Sequence, residues 1–174
     1  REEMRMRIGK KRYITIWFVL SVFFVSVLWC YPNVHAATSG EVPCSEGSVS
    51  WSLSDRGELV FSGNGTTDIL NGAPGGWWNY YWNDIGFVKS DVTSIRVAEG
   101  SAIQLDAADG MFLNYSNCTS IDMTGFDTTQ VEDMSSMFYG CTGLENLNIT
   151  NMDTSNVIDM CGMFSHCYAL PALD

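Results

Sequence analysis

Apolar residues in the second half of the chain recur every 26 positions. Phe112, Phe138 and Phe164 are spaced this way, as are Met111, Met137 and Met163. The same offset pairs Ile121 with Leu147 and Leu173, Met123 with Ile149, Phe126 with Met152, Val131 with Val157 and Met134 with Met160. Polar positions keep step: Asp127-Thr128-Thr129-Gln130 answers Asp153-Thr154-Ser155-Asn156, and Asp133 answers Asp159. Val92, Ile95 and Val97 lie one period before Cys118, Ile121 and Met123, so a degenerate copy opens near Val92. A period of this length predicts stacked supersecondary units, each covering the apolar side of its neighbour.

Within one repeat the periodicity changes. Residues 144–149 read L-x-x-L-x-L, which puts Leu147 and Ile149 on one face of a short strand and Asn148 and Thr150 on the other. Val157, Met160, Met163 and Phe164 follow at relative positions 0, 3, 6 and 7, a spacing that predicts the apolar stripe of a short helix. Ser155 or Asn156 would cap it, and Asp159 would sit in its first turn. The expected fold class is therefore an α/β repeat: a right-handed, leucine-rich-repeat-like solenoid of parallel β-strands and short helices.

Ahead of the repeats, residues 48–54 alternate with Val49, Trp51 and Leu53 on one face, and residues 58–62 alternate again with Leu59 and Phe61. Asp55-Arg56-Gly57 between them predicts a β-hairpin, closed by Gly63-Asn64-Gly65. A Gly/Pro-rich loop at 71–76 then leads to Trp77, Trp78, Tyr80, Tyr81 and Trp82. Hairpin and aromatic run together make an expected N-terminal cap over the open end of the stack. The aromatic run is read as cap core, with a platform for sugar rings or a partner as the alternative.

The first 36 residues follow a different logic. Six basic residues (Arg1, Arg5, Arg7, Lys10, Lys11, Arg12) precede an apolar run at 14–30 broken only by Thr15, Ser21 and Ser26, and Val34-His35-Ala36 closes the segment. This order predicts a signal peptide cleaved after Ala36. A run of this length also sits at the lower limit of a membrane span, so an uncleaved anchor is the alternative. The expected organisation is 1–36 signal peptide, 37–47 linker, 48–91 β-rich cap and 92–174 repeats. Since the sequence stops inside a repeat, it is read as a fragment whose missing C-terminus would carry any cell-wall attachment.

Net charge is −11 over 174 residues, but its distribution matters more. Beyond residue 36 only Arg56, Lys89 and Arg96 oppose 18 acids. Such a surface repels phosphate backbones and anionic headgroups. No nucleic-acid partner is expected, and membrane contact only through the signal segment.

The stretch 137–164, MFYGCTGLENLNITNMDTSNVIDMCGMF, closely resembles the 26-residue repeat of the BspA-like leucine-rich repeat family of bacterial surface proteins. Its specific marks are Asp153-Thr154-Ser155-Asn156-Val157, then Asp159-Met160 and Met163-Phe164; the resemblance extends over 92–174, and more loosely the strands at 49–78 look like the region ahead of such repeats. It implies a secreted or wall-attached bacterial protein, linked to adhesion to host or neighbouring cells. It supplies no catalytic residues.

Candidate chemistry is sparse. Cys141 and Cys167 share a repeat position, and a strand spacing of about 4.8 Å would allow a disulfide. A small apolar residue is needed there in any case, so a buried thiol is the preferred reading. His166 is the only histidine beyond residue 36, and its spacing to Cys161 and Cys167 matches no usual zinc pattern. Asp127 with Asp153 and Asp133 with Asp159 recur at the repeat period, which favours turn acids satisfying backbone N–H groups over a calcium ladder. No catalytic residue, metal or cofactor is expected.

Binding is assigned to the outward strand columns. These are Ser94, Ser120 and Asn146; Arg96, Asp122 and Asn148; Ala98, Thr124 and Thr150. Ser120, Asp122, Thr124, Asn146, Asn148 and Thr150 are the candidate binding residues, short and polar, suited to an extended extracellular protein or polysaccharide. The expected function is a secreted, non-enzymatic binding or adhesion scaffold at the bacterial cell surface. The alternatives are the targeting module of a secreted cell-wall or glycan hydrolase whose catalytic domain lies further on, and a stalk.

Overall fold

The computed structural model describes residues 38–67 and 89–171. The expected signal segment, the aromatic run at 77–82 and Leu173 lie outside the described residues. Strands β1 (Thr38–Val42), β2 (Cys44–Leu53) and β3 (Glu58–Thr67) form an antiparallel meander, with Trp51 opposite Phe61 and Leu53 opposite Leu59. Alternation buries Val49, Trp51, Leu53, Leu59 and Phe61 on one face. The segment expected as a linker, 37–47, thus holds β1 and the start of β2. Among residues 39–42 of β1 only Val42 is buried, so the pairing rests on backbone bonds and on Gly40, where any Cβ would stand 2.8 Å from the Trp51 indole nitrogen. Gly63-Asn64-Gly65 do not close the hairpin but continue β3.

From β3 onward the sheet is parallel. Strands β4 (Ser94–Val97), β6 (Ser120–Asp122) and β8 (Asn146–Asn148) follow β3 in order, and Ser94, Ser120 and Asn146 stand in register. A second strip, β5 (Ala102–Gln104) and β7 (Phe126–Asp127), pairs with the far end of β3. One long strand thereby templates both strips. Ile103 pairs with Phe126 rather than with a residue 26 away, because the corner after β4 is longer than the one after β6.

The expected short helices are absent, and with them the α/β class. The protein is mostly mixed β-sheet with turns; among the described residues the only helical segment is a 3-10 turn at Lys89–Asp91. Where the amides go explains this. The N–H groups of Met134, Ser136, Phe138 and Gly140 donate to the carbonyls of Asp159, Cys161, Met163 and Ser165 in the next repeat, at 2.9 Å each. The N–H groups between them turn inward, Met137 to Met134, Tyr139 to Ser136 and Cys141 to Phe138. Ala108, Gly110, Phe112 and Asn114 bond forward to the following repeat in the same way. A helix would spend all these amides within its own segment.

Two backbone columns impose the alternation. Gly110, Ser136 and Gly162 have φ of 61°, 56° and 68°, and Asn114, Gly140 and His166 have 62°, 74° and 65°. Left-handed residues four positions apart end any right-handed helix between them. The every-third-residue pattern of Val131, Met134 and Met137 survives because successive i→i−3 turns also return every third side chain to one side, and all three are fully buried.

Aromatic stacking runs along the same axis. Phe112 stacks on Phe138 at 5.7 Å and Phe138 on Phe164 at 5.5 Å, the latter pair only 4° from parallel. Each contact adds about 0.5–1.5 kcal/mol beyond burial.

Thr128, 2% exposed, donates its hydroxyl to the Asp153 carbonyl and accepts the Asp153 N–H, both at 2.8 Å. Thr128→Val keeps the shape and strands both Asp153 backbone groups. Urea unfolding should show a loss of about 1–3 kcal/mol; an unchanged midpoint would mean that the hydroxyl bridge does not join the repeats.

Candidate functional site

The sheet presents its outward side chains as parallel rows. Ser120 and Asn146 align, and Asp122 pairs with Asn148. Adjacent members of a row lie about 4.8 Å apart, the strand spacing. Asn146, Asn148, Thr124 and Thr150 are exposed, and Ser120 and Asp122 half-buried. The structure therefore brings the six candidate residues onto one strip two repeats wide. It also divides them into two groups. Asp122 accepts the Thr124 N–H at 2.9 Å, and Asn148 accepts the Thr150 N–H at 3.2 Å and its hydroxyl at 2.7 Å. Those four residues shape the turn after each strand. Ser120 and Asn146 carry no such duty. In the row ahead, Arg96 donates to Glu58 at 2.7 Å, an exposed pair of small energetic weight.

The recurring acids act in the same manner. Asp127 and Asp153 accept the N–H groups of Thr129 and Ser155, and Asp133 and Asp159 those of Ser135 and Cys161, at 2.7–2.9 Å. The hydrogen bonds from Ser155 hold the Asp153 carboxyl below the usual carboxylate range. These are Asx turns, repeated once per coil. Among the described residues no three His, Cys, Asp or Glu side chains gather as metal donors.

The thiols of Cys118, Cys141, Cys161 and Cys167 are unbridged. Cys141 donates its S–H to the Phe112 carbonyl and Cys167 to that of Phe138, each at 3.1 Å, so each thiol reaches back one repeat. Burial pushes the Cys141 thiol up to about 12 and Cys118 to about 11. Tyr115 fills the same column one repeat earlier; its ring stands edge-on to Phe112 at 6.2 Å, and its buried hydroxyl has no hydrogen-bond partner among the described residues. Lys89 lies over that ring and donates to the Leu113 carbonyl at 3.0 Å. Burial lowers its pKa to about 8. Leu113 is equivalent to Tyr139, whose carbonyl accepts the Asn114 N–H, so the ammonium stands where a preceding coil would place an amide.

His166 lies in the left-handed column, exposed, against Tyr139 and hydrogen-bonded to the Tyr168 hydroxyl. Its place reflects backbone geometry. The left-handed columns were missed in the sequence reading, although Gly110 and Gly162, two periods apart, and Asn114 and Gly140, one period apart, each mark one. Lys89 gave no such signal.

Residues 106–172 match the model of a family described as a Mycoplasma protein of unknown function, DUF285. No curated protein matches the chain, and no solved structure does. The matched segment contains the turn repeats, strands β6 to β8 and all six candidate residues.

Native-state thiol labelling follows from the cysteine geometry. Exposed Cys161 should react with an aromatic disulfide reagent at pH 8, while Cys118 and Cys141 stay unlabelled until denaturant is added. Because their folded-state pKa values are raised, any native reaction at Cys141 should keep rising about tenfold per pH unit beyond pH 9. A plateau near pH 9 would show a solvated thiol.

Proposed function

We propose that this is a secreted, non-enzymatic bacterial surface protein of the BspA-like kind, whose parallel strand face holds an extended extracellular protein or polysaccharide. The observation that carries the proposal is the outward row of Ser94, Ser120 and Asn146, in register on three parallel strands. It repeats a short hydrogen-bonding side chain at a fixed interval, which suits a polymer with its own repeat better than a compact substrate. Supporting it are the signal-like first 36 residues, the resemblance of 137–164 to surface-protein repeats and the acidic remainder of the chain. The acids and thiols of the repeats already serve the backbone, which favours scaffold over catalyst. The hydrolase-targeting reading shares the same binding face and differs only in what it would be attached to.

Ser120→Arg with Asn146→Arg tests the row without touching the Asx turns. Thermal unfolding should shift little, since Asn146 is exposed and Ser120 half-buried. Binding to cell-wall preparations or host-cell surfaces should fall at least about tenfold, the effect of placing unpaired bulky charge in a contact worth about 1.4 kcal/mol or more. Binding equal to the parent's would remove the row from the ligand site.

A further inference from the structure

The strand face offers two parallel rows rather than one. The first is Glu58, Ser94, Ser120 and Asn146, in register on β3, β4, β6 and β8. The second lies two residues further along the same strands: Val60 pairs with Arg96, and Asp122, one repeat on from Arg96, pairs with Asn148. Within a row the step is one strand spacing, about 4.8 Å, and between the rows it is two residues, about 6.6 Å. Both rows pass from the antiparallel meander into the repeats, because β3 belongs to both. Ser94, Ser120 and Asn146 make no side-chain hydrogen bond among the described residues. In the second row Asp122 engages one carboxylate oxygen with Thr124 and Asn148 its amide oxygen with Thr150, which leaves an acceptor oxygen on Asp122 and a donor nitrogen on Asn148.

These intervals discriminate between polymers. An extended polypeptide laid along a row repeats its same-face side chains every ~6.7 Å, so it is out of step with a 4.8 Å row after the first strand. A β-1,4-linked pyranose chain advances one ring in nearly one strand spacing, because its two linking oxygens sit at opposite ends of a six-membered ring. Each ring also carries polar groups along both edges, and a ring seated between the rows meets the first row with one edge and the second with the other. Charge narrows the class further. Arg96 is the one cation in the two rows and is held by Glu58 at 2.7 Å, while Asp122 adds a carboxylate. Uronate, sulfate or phosphate groups on a ligand would therefore meet negative charge on the face, and more from the rest of a chain whose net charge is −11.

We propose that the strand face binds a neutral β-1,4-linked polysaccharide lying along the stack, one ring per strand, its two edges hydrogen-bonded to the Ser94 row and the Arg96 row. The inference rests on the strand face being the binding face and specifies its occupant. It also makes β3, in the segment read from sequence as a cap, part of the site, since Glu58 and Val60 open the two rows.

Titration calorimetry of the full 174-residue chain with cello- and chito-oligosaccharides of two to six rings tests it. In the series that binds better, affinity should rise about fivefold per ring up to the fourth, the number of strands in the first row, and level off beyond it, each ring adding about one net hydrogen bond. About tenfold more salt should leave the affinity unchanged, because the ligand carries no charge. Asn146→Arg, at an exposed position, should move the plateau from four rings to three and leave the trisaccharide within about twofold of the parent. Should that variant not fold, Asn146→Ala should cut the gain from the fourth ring to less than about twofold. Affinity that ignores chain length, equal affinity for α-1,4-linked maltohexaose or for the charged β-1,4 oligomannuronate, or a plateau unmoved in the folded variant overturns the proposal. Absence of binding by both series overturns it as well. In that case continued loss of cell-surface attachment in the Ser120→Arg, Asn146→Arg variant would leave the row as the site of another polymer, an extended polypeptide, whereas attachment equal to the parent's would remove the strand face itself.

Discussion

Everything in the repeat region depends on the division of backbone amides between a coil and its neighbour. Alternate N–H groups close turns within the coil, and those between them cross to the next. A buried backbone group without a partner costs as much as a lost hydrogen bond, so no coil is complete alone. This is stricter than the usual need of repeat units to bury apolar surface. Phe112, Phe138 and Phe164 stack because the crossing bonds set the interval between coils, and the phenyl rings then fill it.

The same constraint decides which side chains remain for recognition. Turns this dense leave amides that no carbonyl can reach, and Asp127, Asp133, Asp153 and Asp159 accept them. Thr128 bridges two coils, and the thiols of Cys141 and Cys167 occupy carbonyls that a larger residue would crowd. Polar chemistry that looks functional in a list of residues is thereby bound to the backbone. The strand half is different. Its N–H and carbonyl groups are met by neighbouring strands, so Ser120 and Asn146 are under no local demand.

How much of this was legible in the sequence follows from which residues carry which bond. The period, the strand at Leu147 and the strands bearing Trp51 and Phe61 were legible because alternation of burial writes itself into residue type. The Asp columns were read as turn acids, and turn acids they are. The helix was misread because three-residue recurrence is common to a helix and to a succession of i→i−3 turns. Only Gly110, Gly140 and Gly162 distinguished them, and Ser136 and His166, standing where glycine would be expected, obscured the columns. Strand β1 was illegible for another reason: it is held at the sheet edge by main-chain pairing, to which side-chain pattern contributes little.

Crossing bonds serve both halves of a coil, but they are grouped differently in each. Between the strands, bonds run both ways: Glu145 donates back to Thr119, while Met123 donates forward to Asn148. Between the turns the row from Met134 to Gly140 donates forward, while Ile158 and Asp159 donate back to the Glu132 carbonyl. Lys89 sets a cation on the Leu113 carbonyl, where the column of acceptors begins among the described residues. A half-buried ammonium with a lowered pKa is costly, and its hydrogen bond to the Leu113 carbonyl offsets part of that cost.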